Sequence, residues 1–225
     1  MQKDWRDLTY LLHGTATQQA AYQALEALRV FALLSLFDPM LAGTIPLDID
    51  IPGSDLDIVC CAADVDAFAQ HLHDTFGQCD TFGLQHTVID GLPTVISQFT
   101  SQGFPIEIFG QPRPATEQNA VRHMIVEERL LRHGGAEVRR QIRHLKSRGL
   151  KTEPAFAVVF RLPGDPYQTL LQLAELDEEE LVSVITPVSP PLQSYCVLDT
   201  FFRLGWFGPH KRLWPHNTIH FGEVH

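Results

Sequence analysis

Apolar residues recur at helical spacing over 15–37 (Ala21, Leu25, Leu28, Ala32, Leu36), with Thr15 or Thr17 placed to cap the start and Asp38-Pro39 to stop it. A short apolar run, Met40-Leu41-Ala42, then enters Gly43-Thr44 and a loop carrying Pro46 and Pro52. From Asp55 to Cys61 the period changes to two. Leu56, Ile58 and Cys60 fall on one face of a strand; Asp55, Asp57 and Val59 fall on the other. Helical spacing returns over 63–76, with Val65, Phe68, Ala69 and Leu72 on one stripe. Strand-like pieces follow at 81–82, 86–89, 94–99 and 105–109, separated by the turn pairs Asp90-Gly91 and Gln102-Gly103. They predict an antiparallel meander. After Gln111-Pro112-Arg113-Pro114 only helical signals remain: 116–132, 136–148, 152–161, and 166–175 opened by Asp165-Pro166. The acidic stretch 175–180 leads to Pro and Ser at 187–191. The pattern predicts an α/β (α+β) chain: a mixed or antiparallel sheet flanked by helices over 1–112, a helical segment over 113–182, and an irregular aromatic and Pro-rich tail over 183–225.

Composition narrows the class. With 225 residues, 44% hydrophobic and 20% charged, the chain can bury a sizeable core, and a disordered, collagen-like or coiled-coil chain is excluded. The longest apolar run, 30–37, falls far short of the roughly 18 residues a membrane span needs. The first residues lack the basic-then-apolar layout of a secretory signal. Four cysteines (Cys60, Cys61, Cys79, Cys196) show no CxxC spacing; reduced thiols in a cytoplasm are expected, with no zinc site. The net charge is −10, yet 113–151 holds ten Lys/Arg against four Asp/Glu. That basic segment suggests contact with an anion such as phosphate, although a solvated helix surface would look the same.

Candidate chemistry lies in 43–58 and at Glu107. Asp55 and Asp57, two apart on a strand, send both carboxylates to one side. Such a pair repels unless a cation or hydrogen-bond donors share the site. Hard divalent ions such as Mg²⁺ take oxygen ligands from one or two carboxylates and from substrate phosphates. Gly43 allows close backbone approach to a ligand, and Thr44 adds a hydroxyl. Glu107 stands between Ile106 and Ile108, an acid among apolar residues on a strand, which is costly unless it is paired or metal-bound. Asp48 and Asp50 share the spacing of two, but a surface loop accounts for them. No nucleophile elbow, P-loop or HExxH frame occurs.

Gly43-Thr44, a ten-residue gap, Asp55-Leu56-Asp57-Ile58 and the later Glu107 resemble the nucleotidyltransferase superfamily of the DNA polymerase β type, with Thr44 replacing the commoner Ser. Over about 15–176 the chain also resembles an uncharacterised bacterial family attached to that superfamily, through 118–124 and 149–157. The resemblance implies two Mg²⁺ ions, or Mn²⁺ in their place, held by Asp55, Asp57 and Glu107. It implies an NTP whose triphosphate is bound by Gly43 and Thr44, with Ser54 beside them, and a hydroxyl acceptor attacking the α-phosphate. The three carboxylates should then converge. From the residues alone, Arg122, Arg129 and Lys151 are placed near phosphate, although a helix-surface or interhelix ion pair suits Arg122 better than a ligand role and packing or a hydrogen bond suits His123 better than a general base. The acceptor is open: a small molecule, a protein hydroxyl or an RNA end, with extended duplex DNA disfavoured by the overall charge.

Two alternatives stand beside an enzyme. One is a catalytically silent nucleotide-binding or regulatory module of the same fold. The other is an interaction protein of toxin–antitoxin type, using Phe201, Phe202, Trp206, Phe207 and Trp214 as its contact.

Overall fold

The computed structural model describes residues 3–185. The tail aromatics, Cys196 and nearly all of the expected segment 183–225 lie outside the described residues. A 3-10 turn at Leu8–His13 precedes α1 (Ala16–Leu28), which Thr15 opens through a reciprocal capping box with Gln18. The single helix expected over 15–37 is broken. Arg29 takes a left-handed conformation (φ 54°), so the chain continues as one turn, α2 (Val30–Leu33), and a second 3-10 turn at Ser35–Phe37. Apolar spacing alone carried no sign of that break, because the stripe resumes on its far side.

Five strands form one mixed sheet in the order β1-β2-β5-β4-β3. They are β1 (Met40–Ala42), β2 (Leu56–Cys61), β3 (Asp80–Ile89), β4 (Leu92–Ser101) and β5 (Phe104–Gln111). The meander β3-β4-β5 is antiparallel, as its turns predict. Asp90-Gly91 and Gln102-Gly103 each place two consecutive residues at positive φ, the backbone of a two-residue type I′ hairpin. The parallel pairing of β2 with β5 is the feature that local pattern could not supply.

The alternation along β2 separates two cores. Leu56, Ile58 and Cys60 pack with Ile106, Ile108, Val95 and Phe99 against α1 and against α3 (Val65–Phe76), which supplies Phe68, Leu72 and Phe76. Gly110 of β5 sits under Phe68. A Cβ there would lie 2.2 Å from the ring, so the strand can carry no side chain at that point. On the opposite face Met40, Ala42, Val59, Ile96 and Phe109 pack against the helical segment.

That segment consists of α4 (Asn119–Ser147), α5 (Thr152–Phe160), α6 (Pro166–Ala174) and α7 (Glu178–Val184). Within α4, Gly135 is non-helical (φ 65°, ψ −159°). It separates two arms, close to the 116–132 and 136–148 division that the sequence predicts. The arms fold back on each other. Glu127 and Lys146 interact electrostatically, although a straight helix would hold them about 28 Å apart. Asp165 caps α6 with Pro166 in its first turn. The expectation of an acidic stretch after α6 overlooked α7, which starts with a second capping box, Asp177 with Glu180.

Among the described residues no helix is long and apolar enough to cross a membrane. Cys60, Cys61 and Cys79 are free thiols.

Candidate active site

Three strand positions bring the site together. Asp57 of β2 is in register with Glu107 of β5. Neighbouring strands lie about 4.8 Å apart and paired residues share a face, so these two carboxylates stand side by side. On the other flank Asp57 pairs with Ala42 at the end of β1. The next residue, Gly43, has φ +80°, and a Cβ on it would lie 2.1 Å from Asp57 Oδ2. The backbone of Gly43 therefore lies directly against the Asp57 carboxylate. Asp55, two residues before Asp57, enters a cavity of about 220 Å³ whose wall also includes Glu107.

The loop between β1 and β2 is tied by its own polar groups. The Thr44 carbonyl accepts from the N–H groups of Leu47 and Ile49. Ser54 Oγ accepts from Ile51 N–H at 3.0 Å, and Thr44 Oγ1 donates to it at 3.5 Å. Gly43, Thr44 and Ser54 thus belong to one closed loop whose start lies against Asp57. Glu107 is buried and accepts a hydrogen bond from the Gln98 amide, its register partner on β4. A neutral donor on the carboxylate fixes its orientation without neutralising its charge.

The second arm of α4 closes the site from the helical side. Arg143 donates to the side-chain and backbone oxygens of Asp48, and Lys146 Nζ donates to the Ile49 carbonyl at 2.8 Å. Lys146 is buried among acids. Loss of hydration lowers its ammonium to about 8, against the opposing pull of Glu127, Asp50, Glu153 and Asp57. Glu127 is pushed well above the usual carboxylate range, chiefly by burial and next by Glu153, with Lys146 opposing. Glu153 is raised by burial, against the pull of His123 first among its partners. His123 Nε2 lies 3.1 Å from the Tyr167 carbonyl, and Nδ1 lies 3.5 Å from Glu153. These residues form a polar cluster beneath the acidic strand ends.

The other expected phosphate contacts are placed differently. Arg122 follows Gln118, whose amide donates to the Cys60 carbonyl, three residues and roughly 10 Å along β2 from Asp57. Arg122 pairs with Glu175 at 2.5 Å. Arg129 pairs with Glu178 and donates to the Leu176 and Asp177 carbonyls. Both hold α4 to the α6–α7 corner. Lys151 is half-buried at the N-cap of α5.

Carboxylate oxygens on one sheet face beside a glycine turn are the donor type that hard cations take. Among the described residues, no three His, Cys, Asp or Glu side chains are gathered closely enough to hold a metal ion. The oxygen donors are of the type Mg²⁺ or Mn²⁺ takes, but the convergence of all three carboxylates expected from the sequence is not met. Sequence reasoning missed Lys146, Glu127, Glu153 and Gln98. A signal existed for the first two: Glu127 falls in the stripe of Met124 and Leu131, and Lys146 beside Ile142 and Leu145, so each is a charge at a core position.

A family model matches residues 23–173, and the chain belongs to that family, described as a domain of unknown function, DUF4269. No curated protein matches the chain. Among solved structures, the Cid1 poly(U) polymerase with MgGTP bound is 12% identical at a TM-score of 0.46, over 74% of this chain and 54% of that one. A cytoplasmic RNA terminal U-transferase is 13% identical at a TM-score of 0.47, over 79% and 52%. The polymerase core of TRAMP, an RNA surveillance complex, is 15% identical at 0.42, over 81% and 57%. The chain spans about half the length of these proteins.

Proposed function

We propose that this protein is a nucleotidyltransferase: it binds an NTP with divalent cations and transfers the nucleoside monophosphate to a hydroxyl acceptor. The observation that carries the reading is the register of Asp57 with Glu107, with the Gly43 backbone against the Asp57 carboxylate. Asp55, Asp57 and Glu107 would hold Mg²⁺, two ions in the full reading, or Mn²⁺. When bound, such an ion offsets phosphate charge and polarises the α-phosphate.

The chain's own groups do the rest. The 43–54 turn presents backbone N–H and hydroxyl groups to the triphosphate. Lys151 supplies positive charge. Arg122 and Arg129 hold the helical corner rather than phosphate in this reading. Glu107, oriented by Gln98, receives the proton of the acceptor hydroxyl as its oxygen bonds to the α-phosphorus and pyrophosphate leaves.

A silent nucleotide-binding module is the second reading. It is favoured by the absence, among the described residues, of a gathered three-residue metal site. Incubation with each α-labelled NTP and Mg²⁺, following pyrophosphate and labelled product, tests the enzyme. Pyrophosphate release with label on an acceptor supports transfer. NTP binding without release over a broad acceptor panel supports the silent module.

A further inference from the structure

Beside the paired carboxylates, toward β4, lies the cavity of about 220 Å³, walled by Asp55, Thr81, Gln98, Thr100, Pro105 and Glu107 among others. We infer that this cavity is the acceptor subsite and that it takes a small polyhydroxyl compound without phosphate, a neutral sugar or an amino sugar. The inference rests on the transfer reading above and names its substrate class.

Three observations carry it. The first is position. The cavity contains Glu107, the group placed to receive the acceptor's proton, together with Gln98, which donates to it. A hydroxyl lodged there is next to the carboxylate.

The second is the pattern of polar groups. Gln98 and Thr100 are two apart on one face of β4, and Thr100 Oγ1 lies 3.1 Å from Thr81 Oγ1. Amide, carboxylate and hydroxyl groups are therefore interleaved along one wall. Vicinal hydroxyls, each both donor and acceptor, match such a wall. The volume is below the roughly 300–1,000 Å³ of drug-sized pockets, which suits a single ring.

The third is charge. Among the described residues the wall carries two carboxylates and no Lys or Arg. A polynucleotide acceptor is held by Lys and Arg along its phosphates, and the wall offers none beyond a cation that Asp55 and Glu107 would hold. Of the basic residues of the helical segment, Arg143 is held by Asp48, Arg129 by Glu178 and Arg122 by Glu175, Lys146 donates to the Ile49 carbonyl, and none of them lines the wall.

The test is saturation-transfer NMR on the full chain with Mg²⁺ and non-hydrolysable analogues of each NTP. The acceptor probes are glucose, glucosamine and a short oligoribonucleotide with a free 3′ hydroxyl. Binding of either sugar and not of the RNA supports the inference. In Thr100→Lys, an exposed position, the added cation weakens glucosamine about tenfold and improves the RNA, as a new like or unlike charge at a contact does. Binding of the RNA with silent sugars overturns the inference and leaves the transfer reading standing. Failure of every acceptor probe with an analogue bound also overturns it. Failure of every analogue to bind defeats the transfer reading and the subsite with it.

Discussion

Replacing Gly43 with alanine tests the closest approach in the site. The new Cβ would sit 2.1 Å from Asp57 Oδ2 and 3.1 Å from its Cγ, at a backbone φ of +80°. The positive φ alone costs an L-residue about 1–2 kcal/mol. The overlap is with the end of a side chain, so relief comes by swinging the Asp57 carboxylate, not by moving the sheet. Strain from the altered rotamer adds about 1 kcal/mol. A loss of about 2–3 kcal/mol should lower Tm by roughly 4–12 °C in a chain of this size. Displacing a metal-binding carboxylate by about 1 Å should weaken function far more than stability, on the order of 100-fold. Thermal melts and Mg²⁺-dependent NTP titrations on the same sample separate the two effects. A Gly43→Ala protein that melts several degrees lower yet binds Mg·NTP as the parent does would refute the placement of Asp57 at the metal.

Other consequences follow from separate parts of the molecule. Gly110→Ala should cost about 1–3 kcal/mol by overpacking, because its Cβ meets the Phe68 ring at 2.2 Å; urea midpoints check this, and nucleotide affinity should not change. Arg122→Ala removes a partly exposed pair with Glu175 and should cost no more than about 1 kcal/mol, with Mg·NTP affinity within about twofold, below half a kcal/mol. Lys146 falls to about 8 in the folded protein from 10.5, so between those values the unfolded chain holds a proton that the folded chain has released. Stability from this group therefore rises with pH across that window, by at most about 3 kcal/mol. Urea titrations from pH 7 to 10.5 should show the rise in the parent and its loss in Lys146→Met.

Much of the scaffold is legible from local chemistry. The Asp-Gly and Gln-Gly turns fix two hairpins, Asp165-Pro166 fixes the start of α6, and the alternation at 56–60 assigns both faces of β2. The acids are legible for the same reason, since side chains two apart on a strand must share a side. What could not be read is long-range. Nothing in 104–111 says that it pairs in parallel with 56–61, and that pairing puts Glu107 beside Asp57. The reversal at Gly135 is equally hidden in consequence: the two arms can be read separately, but not that Lys146 returns to Glu127 and to the Ile49 carbonyl. Arg29 breaks the first helix with no Gly or Pro to announce it. For Arg122 and Arg129, positive charge was legible but partner choice was not, because their acids lie about fifty residues downstream.

In the proposed reading Asp57 and Glu107 stand side by side on one sheet face and hold a cation for a triphosphate. Isothermal titration of non-hydrolysable NTP analogues, with and without Mg²⁺, into the parent protein and into Asp57→Asn and Glu107→Gln addresses it most directly. Mg²⁺-dependent binding is expected in the parent and is lost in both variants, with folding retained by circular dichroism. Equal binding in all three proteins, or binding indifferent to Mg²⁺, would contradict it.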